Sequence, residues 1–231
     1  MEFKTFDSKK LFIKTSAEII ANSCHTKKRT TTHIALSGGS TPAPIYHYFA
    51  TTLAEHISNA RIYASLVDER YVPITSEQSN WYMIKKNFCD PLPAHPNNPL
   101  VTVNMIDTNK PIKHAIKNYT KAIKFDLPPD HAFDLVILGI GTDGHVASLF
   151  PHSPVLHSNE WIAHTTTENH PIKDRITMTF ELIMRAKKIL LLAGPEKKDI
   201  LDRLLHGDET IEELPAKKLL GHDDFVIHYL L

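Results

Sequence analysis

FDLVILGIGTDGHVASLFP, residues 133–151, opens on an apolar run and then breaks into glycines at 139, 141 and 144. A short apolar run closed by glycine reads as a strand buried on both faces, the kind that parallel sheets contain. Gly139, Gly141 and Gly144 also satisfy G-x-G-x-x-G, the spacing of a dinucleotide-binding turn. The rest of the stretch argues against that use. A dinucleotide fingerprint normally lies in the first βαβ unit, opens a long helix and is followed about 20 residues later by a ribose-binding acid. Here the motif is in mid-chain, Pro151 cuts any helix after six residues, and the nearest acids, Glu160 and Glu168, sit in no second strand of such a unit. Asp143 and His145 would also crowd a pyrophosphate. The stretch reads instead as a catalytic loop at a strand end, with His145 as general base and Asp143 orienting its ring.

Alternating apolar runs and amphipathic stretches continue on both sides. THIALSGG (32–39) is strand-like, and STPAPIYHYFATTLAEHI is predicted to be a helix opened by Pro42, with Ile45, Tyr48, Phe49 and Leu53 on one face. RIYASLVDERYVP (61–73) reads as a strand running into a loop. SNWYMIKKNFCD reads as a short helix stopped by PLPAHPNNP, the one proline-rich linker. LVTVNMI (100–106) is a further strand, and KPIKHAIKNYTKAIK (110–124) a helix with Ile112, Ile116, Tyr119 and Ile123 aligned. Downstream, WIAHTTT, KILLLAG and DFVIHYLL read as strands, and TFELIMRAKK and PEKKDILDRLLHG as helices, the second closed by Gly207. The pattern predicts an α/β fold over residues 1–231 as one domain, a mostly parallel sheet with helices on both faces.

Composition narrows the function. Lys+Arg and Asp+Glu are both 26, which argues against bulk electrostatic binding to nucleic acid or to an anionic membrane. Cys24 and Cys89 form no C-x-x-C pair, which suits a reduced, cytosolic setting. The N-terminal MEFKTFDSKKLF has no apolar signal-peptide core, and LVILGI and ILLLAG are far short of a membrane span. A soluble, cytoplasmic protein is expected. Of the 15 histidines, those at 145, 152, 157, 164 and 170 show no i, i+4 ligand spacing, so no metal is assigned.

Three predicted strands end in unusual loops, and ligands in open α/β sheets bind outside the carboxyl ends of strands. In SGGSTP (37–42) the Gly38 and Gly39 amides converge and Ser40 and Thr41 add hydroxyl donors, which is anion-binding chemistry without the lysine of a Walker loop. Asp68 and Arg70 close the strand before YVP, and Arg70 offers a planar fork to phosphate or carboxylate. Arg175 and Lys197 flank two further strand-to-helix transitions. Each feature alone has a plainer reading, as a capped turn, a surface ion pair or a solvated cation. Their coincidence at strand ends points to a site.

The set SGGSTP, VDERYVP, Ser79–Asn80, GIGTDGHVASLFP, RITMTF and AGPEKK, spread over residues 36–198, resembles the 6-phosphogluconolactonases. The resemblance implies a Rossmann-like domain without a dinucleotide, of the type shared with glucosamine-6-phosphate deaminases, ribose-5-phosphate isomerases and CoA transferases. It implies hydrolysis of a small sugar-phosphate lactone in the oxidative branch of the pentose phosphate pathway, without organic cofactor or metal, by a monomer or small homo-oligomer. His145 would activate water and Asp143 would support it, while Asp68 joins the catalytic set with no assigned step. Gly38, Gly39, Ser40, Thr41, Arg70, Arg175 and Lys197 would bind the substrate. The deaminases are the rival reading. They resemble D-G-H-I-A-F-N-E-P at the central loop, with a catalytic glutamate where this chain has Phe150, and D-E-Y where it has Asp68-Glu69-Arg70. A catalytically silent sugar-phosphate-binding protein is the other alternative, and the presence of both Asp143 and His145 argues against it.

Overall fold

A computed structural model describes residues 1–24, 31–57, 60–92, 100–130 and 132–231. The elements in order are β1 (Glu2–Phe6), α1 (Lys9–Cys24), β2 (Thr31–Leu36), α2 (Ala43–Tyr48), β3 (Arg61–Leu66), β4 (Asp68–Arg70) and α3 (Asn80–Ile84). Then come β5 (Leu100–Asn104), α4 (Ile112–Asp126), β6 (Leu135–Gly139), β7 (Ile162–Thr166), β8 (Asp174–Met178), α5 (Phe180–Ile183), β9 (Ile189–Ala193), α6 (Lys198–His206) and β10 (Phe225–Leu230).

Seven strands form one sheet in the order β1-β10-β9-β6-β2-β3-β5, and every pairing in it is parallel. Central strands such as β6 and β9 are buried almost end to end, because helices cover both faces and no position is left for a polar side chain. From the β2–β6 junction the chain steps outward one way through β3 and β5, and the other way through β9 and β10. In parallel sheets, right-handed crossovers running in the two directions put their helices on opposite faces. The loops after β2 and β6 diverge at this junction, which is where such sheets open a ligand crevice.

A second sheet, β4-β8-β7, is antiparallel. Val67 carries the chain from one sheet to the other: its N–H donates to Leu36 O (3.0 Å) at the end of β2, and its carbonyl accepts from Met178 N (2.7 Å) on β8. WIAHTTT is therefore a strand as expected, but outside the parallel sheet.

Other expectations need correction. The helix from Pro42 is α-helical only to Tyr48 and continues as a π-helix over Phe49–Leu53, so Tyr46 rather than Tyr48 turns fully inward, edge-on to Phe88. The helix of TFELIMRAKK shortens to Phe180–Ile183. PLPAHPNNP falls largely on residues 93–99, outside the described residues. Among the described residues no helix is long and apolar enough to cross a membrane.

Candidate active site

The loop after β2 lies against α3 so closely that only glycine fits at position 38. A Cβ there would stand 1.9 Å from Asn80 Oδ1. Asn80 is itself fixed, because its Nδ2 donates to the backbone oxygen of Asp68 (2.9 Å) and to Asp68 Oδ1 (3.1 Å). The other carboxylate oxygen of Asp68 accepts from Ser148 Oγ at 2.6 Å. Asp68 is thus buried with both oxygens engaged by neutral donors, tying β4 to the loop that carries His145.

Strand alternation sends Glu69 the opposite way from Asp68 and Arg70. Its fully buried carboxylate accepts from Ser79 Oγ and from the backbone N–H groups of Arg70, Asn80 and Trp81, at 2.7–2.9 Å. It fastens β4 to the first turn of α3. Arg70 and Arg175 stand directly opposite one another across the β4–β8 pair. Like charges in that relation repel. Burial, and then the charge of Arg70, push the Arg175 pKa down from its ordinary value. Each guanidinium is steadied by a backbone carbonyl, Arg70 Nη1 by Gln78 O (2.8 Å) and Arg175 Nε by Ile172 O (3.0 Å). Two cations held together this way have the charge and geometry to bind a dianion.

Beyond β6 the chain makes no helix up to Pro151. Gly141 is required by close approach, since a Cβ would fall 2.2 Å from His145 Nδ1. Asp143 Oδ1 lies 2.5 Å from His145 Nδ1 and also accepts from the His145 amide at 3.2 Å. Burial alone would raise the Asp143 carboxyl, but hydrogen bonding to His145 and the charge of that ring hold it at about 2. With Nδ1 engaged, Nε2 is the nitrogen left for proton transfer. Ala147 takes the left-handed φ of 55°, a conformation unfavourable for an L-residue by roughly 1–2 kcal/mol. Ser148, next in line, is pinned by Asp68 and by Thr177 Oγ1 (3.2 Å to its amide).

A cavity of about 300 Å³ brings together Gly38, Gly39, Ser40, Thr41, Asp68, Arg70, His145, Arg175 and Lys197. Lys197 enters from a 3₁₀ turn, Pro195–Lys197, ahead of α6. Asp143 lies behind His145 and lines a neighbouring cleft of about 660 Å³. Among the described residues, four buried side-chain atoms lack a hydrogen-bond partner, and three of them, Ser37 Oγ, Arg70 Nε and Asn80 Oδ1, belong to residues of the 300 Å³ cavity. Unmet capacity concentrated in one place marks a site for a polar ligand.

Three participants carried little signal in the sequence. Asn80 and Ser148 lay inside the matched motifs but bore no evident role, and His170 lay in none. His170 lines the cavity, and one ring nitrogen of it, one of His145 and an oxygen of Asp143 lie within 4.8 Å of one another. That donor set suits a divalent cation, which would compete with His145 for the Asp143 carboxylate. Spacing along the chain gave no hint of it, because the fold rather than a helix joins these residues.

A family model described as glucosamine-6-phosphate isomerases/6-phosphogluconolactonase matches residues 7–227. The chain belongs to that family. The 6-phosphogluconolactonase of Thermotoga maritima is 35% identical over 194 residues, covering 84% of this chain and 81% of that one. The 6-phosphogluconolactonase of Homo sapiens is 30% identical over 195 residues, covering 82% and 74%. The crystal structure of the T. maritima protein matches with a TM-score of 0.82 at 27% identity, over 100% of this chain and 99% of its own. A monomeric glucosamine-6-phosphate deaminase, 21% identical, matches at 0.79 over 100% and 97%. The family description names isomerases beside lactonases, and the fold is shared with a deaminase, so the residues must separate these readings.

Proposed function

We propose that this protein hydrolyses 6-phospho-D-glucono-1,5-lactone to 6-phospho-D-gluconate in the oxidative branch of the pentose phosphate pathway. The observation that carries the reading is the Asp143–His145 pair opening onto a cavity that also holds the Arg70–Arg175 pair and Lys197. The first is a charge-supported base, and the second is a receptor for a sugar phosphate. Phe150 supports lactonase over deaminase chemistry: its ring packs on His145 at 4.7 Å between centroids and has no proton to offer.

In this reading the cations and the Ser37–Thr41 loop hold the phosphate, and C1 comes to rest near His145. Water attacks C1 while Nε2 takes its proton, positioned base catalysis of a kind that typically contributes about 10²–10⁴-fold. The tetrahedral alkoxide collapses, the bond from C1 to the ring oxygen breaks, and His145 returns the proton to that oxygen. Phosphate binding far from C1 positions the carbonyl, so remote affinity becomes rate. Asp68, with both oxygens engaged, serves by holding Ser148 and Asn80 in place rather than by moving a proton. The same reading takes residues 1–231 as one domain, a cytoplasmic monomer or small homo-oligomer, with a small phosphorylated lactone as partner rather than nucleic acid.

The test is hydrolysis of freshly prepared lactone measured against its spontaneous opening, beside ammonia release from glucosamine 6-phosphate. Acceleration of the first without the second is expected, with kcat of His145→Ala reduced far more than its KM is raised. Ammonia release, or a His145→Ala variant with near-parental turnover, overturns the assignment.

A further inference from the structure

The cavity holds two imidazoles, and the reaction above uses one. His170 lies in the turn between β7 and β8 and lines the same cavity as His145, Arg70 and Arg175. Its ring meets His145 edge-on, with centroids 5.5 Å apart and planes at 82°. Phe150 touches both rings, at 4.7 Å from His145 and 5.6 Å from His170, and so fixes their spacing. Among the described residues the His170 ring has no hydrogen-bond partner, whereas Arg70 and Arg175 are each tied to a backbone carbonyl. Burial, and then the neighbouring charges of His145 and Arg175, push the His170 pKa down, with Asp143 opposing them. In either protonation state the ring carries at least one N–H donor.

Lactone hydrolysis asks for more than a base. Charge builds on the carbonyl oxygen as water adds, and that charge exists only near the transition state. A fixed donor about 2.7–3.1 Å from the developing oxyanion stabilises it selectively. The attacking water must lie within about 3 Å of His145 and C1 within about 3.5 Å of the water, so the carbonyl oxygen comes to rest close to the His145 wall of the cavity. A His170 nitrogen within 4.8 Å of a His145 nitrogen is on that wall. A fixed imidazole suits the task, since it presents a ring N–H to the oxygen from a set position.

We propose that His170 is a second catalytic residue, whose ring N–H donates to the lactone carbonyl oxygen as that oxygen becomes an alkoxide. The proposal rests on the lactonase reading and adds no proton to it. His145 carries the proton from water to the ring oxygen, and His170 keeps its own throughout.

Two variants decide it, assayed on fresh lactone with a chelator present so that no cation bridges the histidines. His170→Phe keeps a ring against His145 and Phe150 but has no donor. Its kcat is expected to fall by about 10²–10³-fold, the usual cost of losing one oxyanion donor, with KM changed by less than about threefold. His170→Gln restores an N–H donor and is expected to recover at least about tenfold of that loss. Equal binding of inorganic phosphate by parent and variants shows that the cavity is intact. A His170→Phe variant within about fivefold of the parent in kcat, a loss carried mainly by KM, or a Gln variant no better than the Phe variant overturns the proposal. A parent that fails to speed lactone opening would instead overturn the lactonase reading itself, a distinct result.

Discussion

Asp143→Asn isolates the charge behind His145 with little change of shape. When His145 has taken the water proton its ring is cationic, and Asp143 Oδ1 lies 2.5 Å from Nδ1. With charge centres about 4 Å apart and an effective dielectric constant of about 20, their attraction is about 4 kcal/mol. The Asp143 side chain is 31% exposed, so solvent screening removes part of that. About 2–3 kcal/mol remains, which is ~30- to ~150-fold in kcat. An asparagine that turns its amide N–H toward Nδ1 also favours the tautomer with the proton on Nε2, which cannot accept one from water. The combined expectation is a kcat lower by about 10²–10³-fold. KM should hardly move, since Asp143 lies outside the cavity that would hold the substrate. Initial rates on fresh lactone, corrected for spontaneous opening, provide the measurement. A variant within threefold of the parent in kcat, or one whose loss lies in KM, refutes the argument. Acid is a further check. With the folded Asp143 carboxyl at about 2 against an ordinary 3.8, its contribution to stability is complete above pH 3.8 and is lost as pH falls through about 2.

Two other expectations concern the anion receptor and the core. Arg175→Leu removes half of the opposed guanidinium pair and should raise KM by about 10- to 100-fold, the range for losing one or two charge-assisted hydrogen bonds. It should also shrink the rise in Tm that inorganic phosphate gives the parent, and an unchanged KM would count against the receptor. His228 is buried beside Ser16, 2.8 Å from its hydroxyl, and burial, then Lys4, hold its pKa at about 4 rather than 6.5. The unfolded chain therefore binds a proton that the folded one refuses. Stability is complete above pH 6.5 and falls as pH drops through about 4, by up to about 3 kcal/mol. Urea midpoints for the parent and for His228→Gln should diverge across that window, and parallel curves would refute the assignment.

The strands that proved readable were those buried on both faces, because LVILG and ILLLA leave no position for a polar residue. β1 went unread because only Phe6 of Glu2–Phe6 is buried, as befits an edge strand. α1 went unread because its inward face includes Ser16, a core polar residue whose partner, His228, is distant in sequence. The candidate site was legible wherever glycine and an ionisable group share a strand end. What stayed hidden was everything set by pairing between distant strands. Nothing near Arg70 announces that Arg175 will stand opposite it, and nothing near His145 announces His170.

Val67 has a consequence of another kind. Because the chain changes sheets at this residue, the arginines ride on a platform that meets the loop of Asp143 and His145 through few bonds, chiefly Ser148 to Asp68 and Ser148 to Thr177. Arg70 and Arg175 can be exchanged without touching the Asp68 and Thr177 bonds to Ser148 that hold the loop of Asp143 and His145. Conversely, the loop after β6 can change its side chains while the Arg70–Arg175 pair stays as it is. Ligand choice and reaction type thus vary along separate parts of the chain, which gives a lineage two independent routes to a new enzyme from one scaffold.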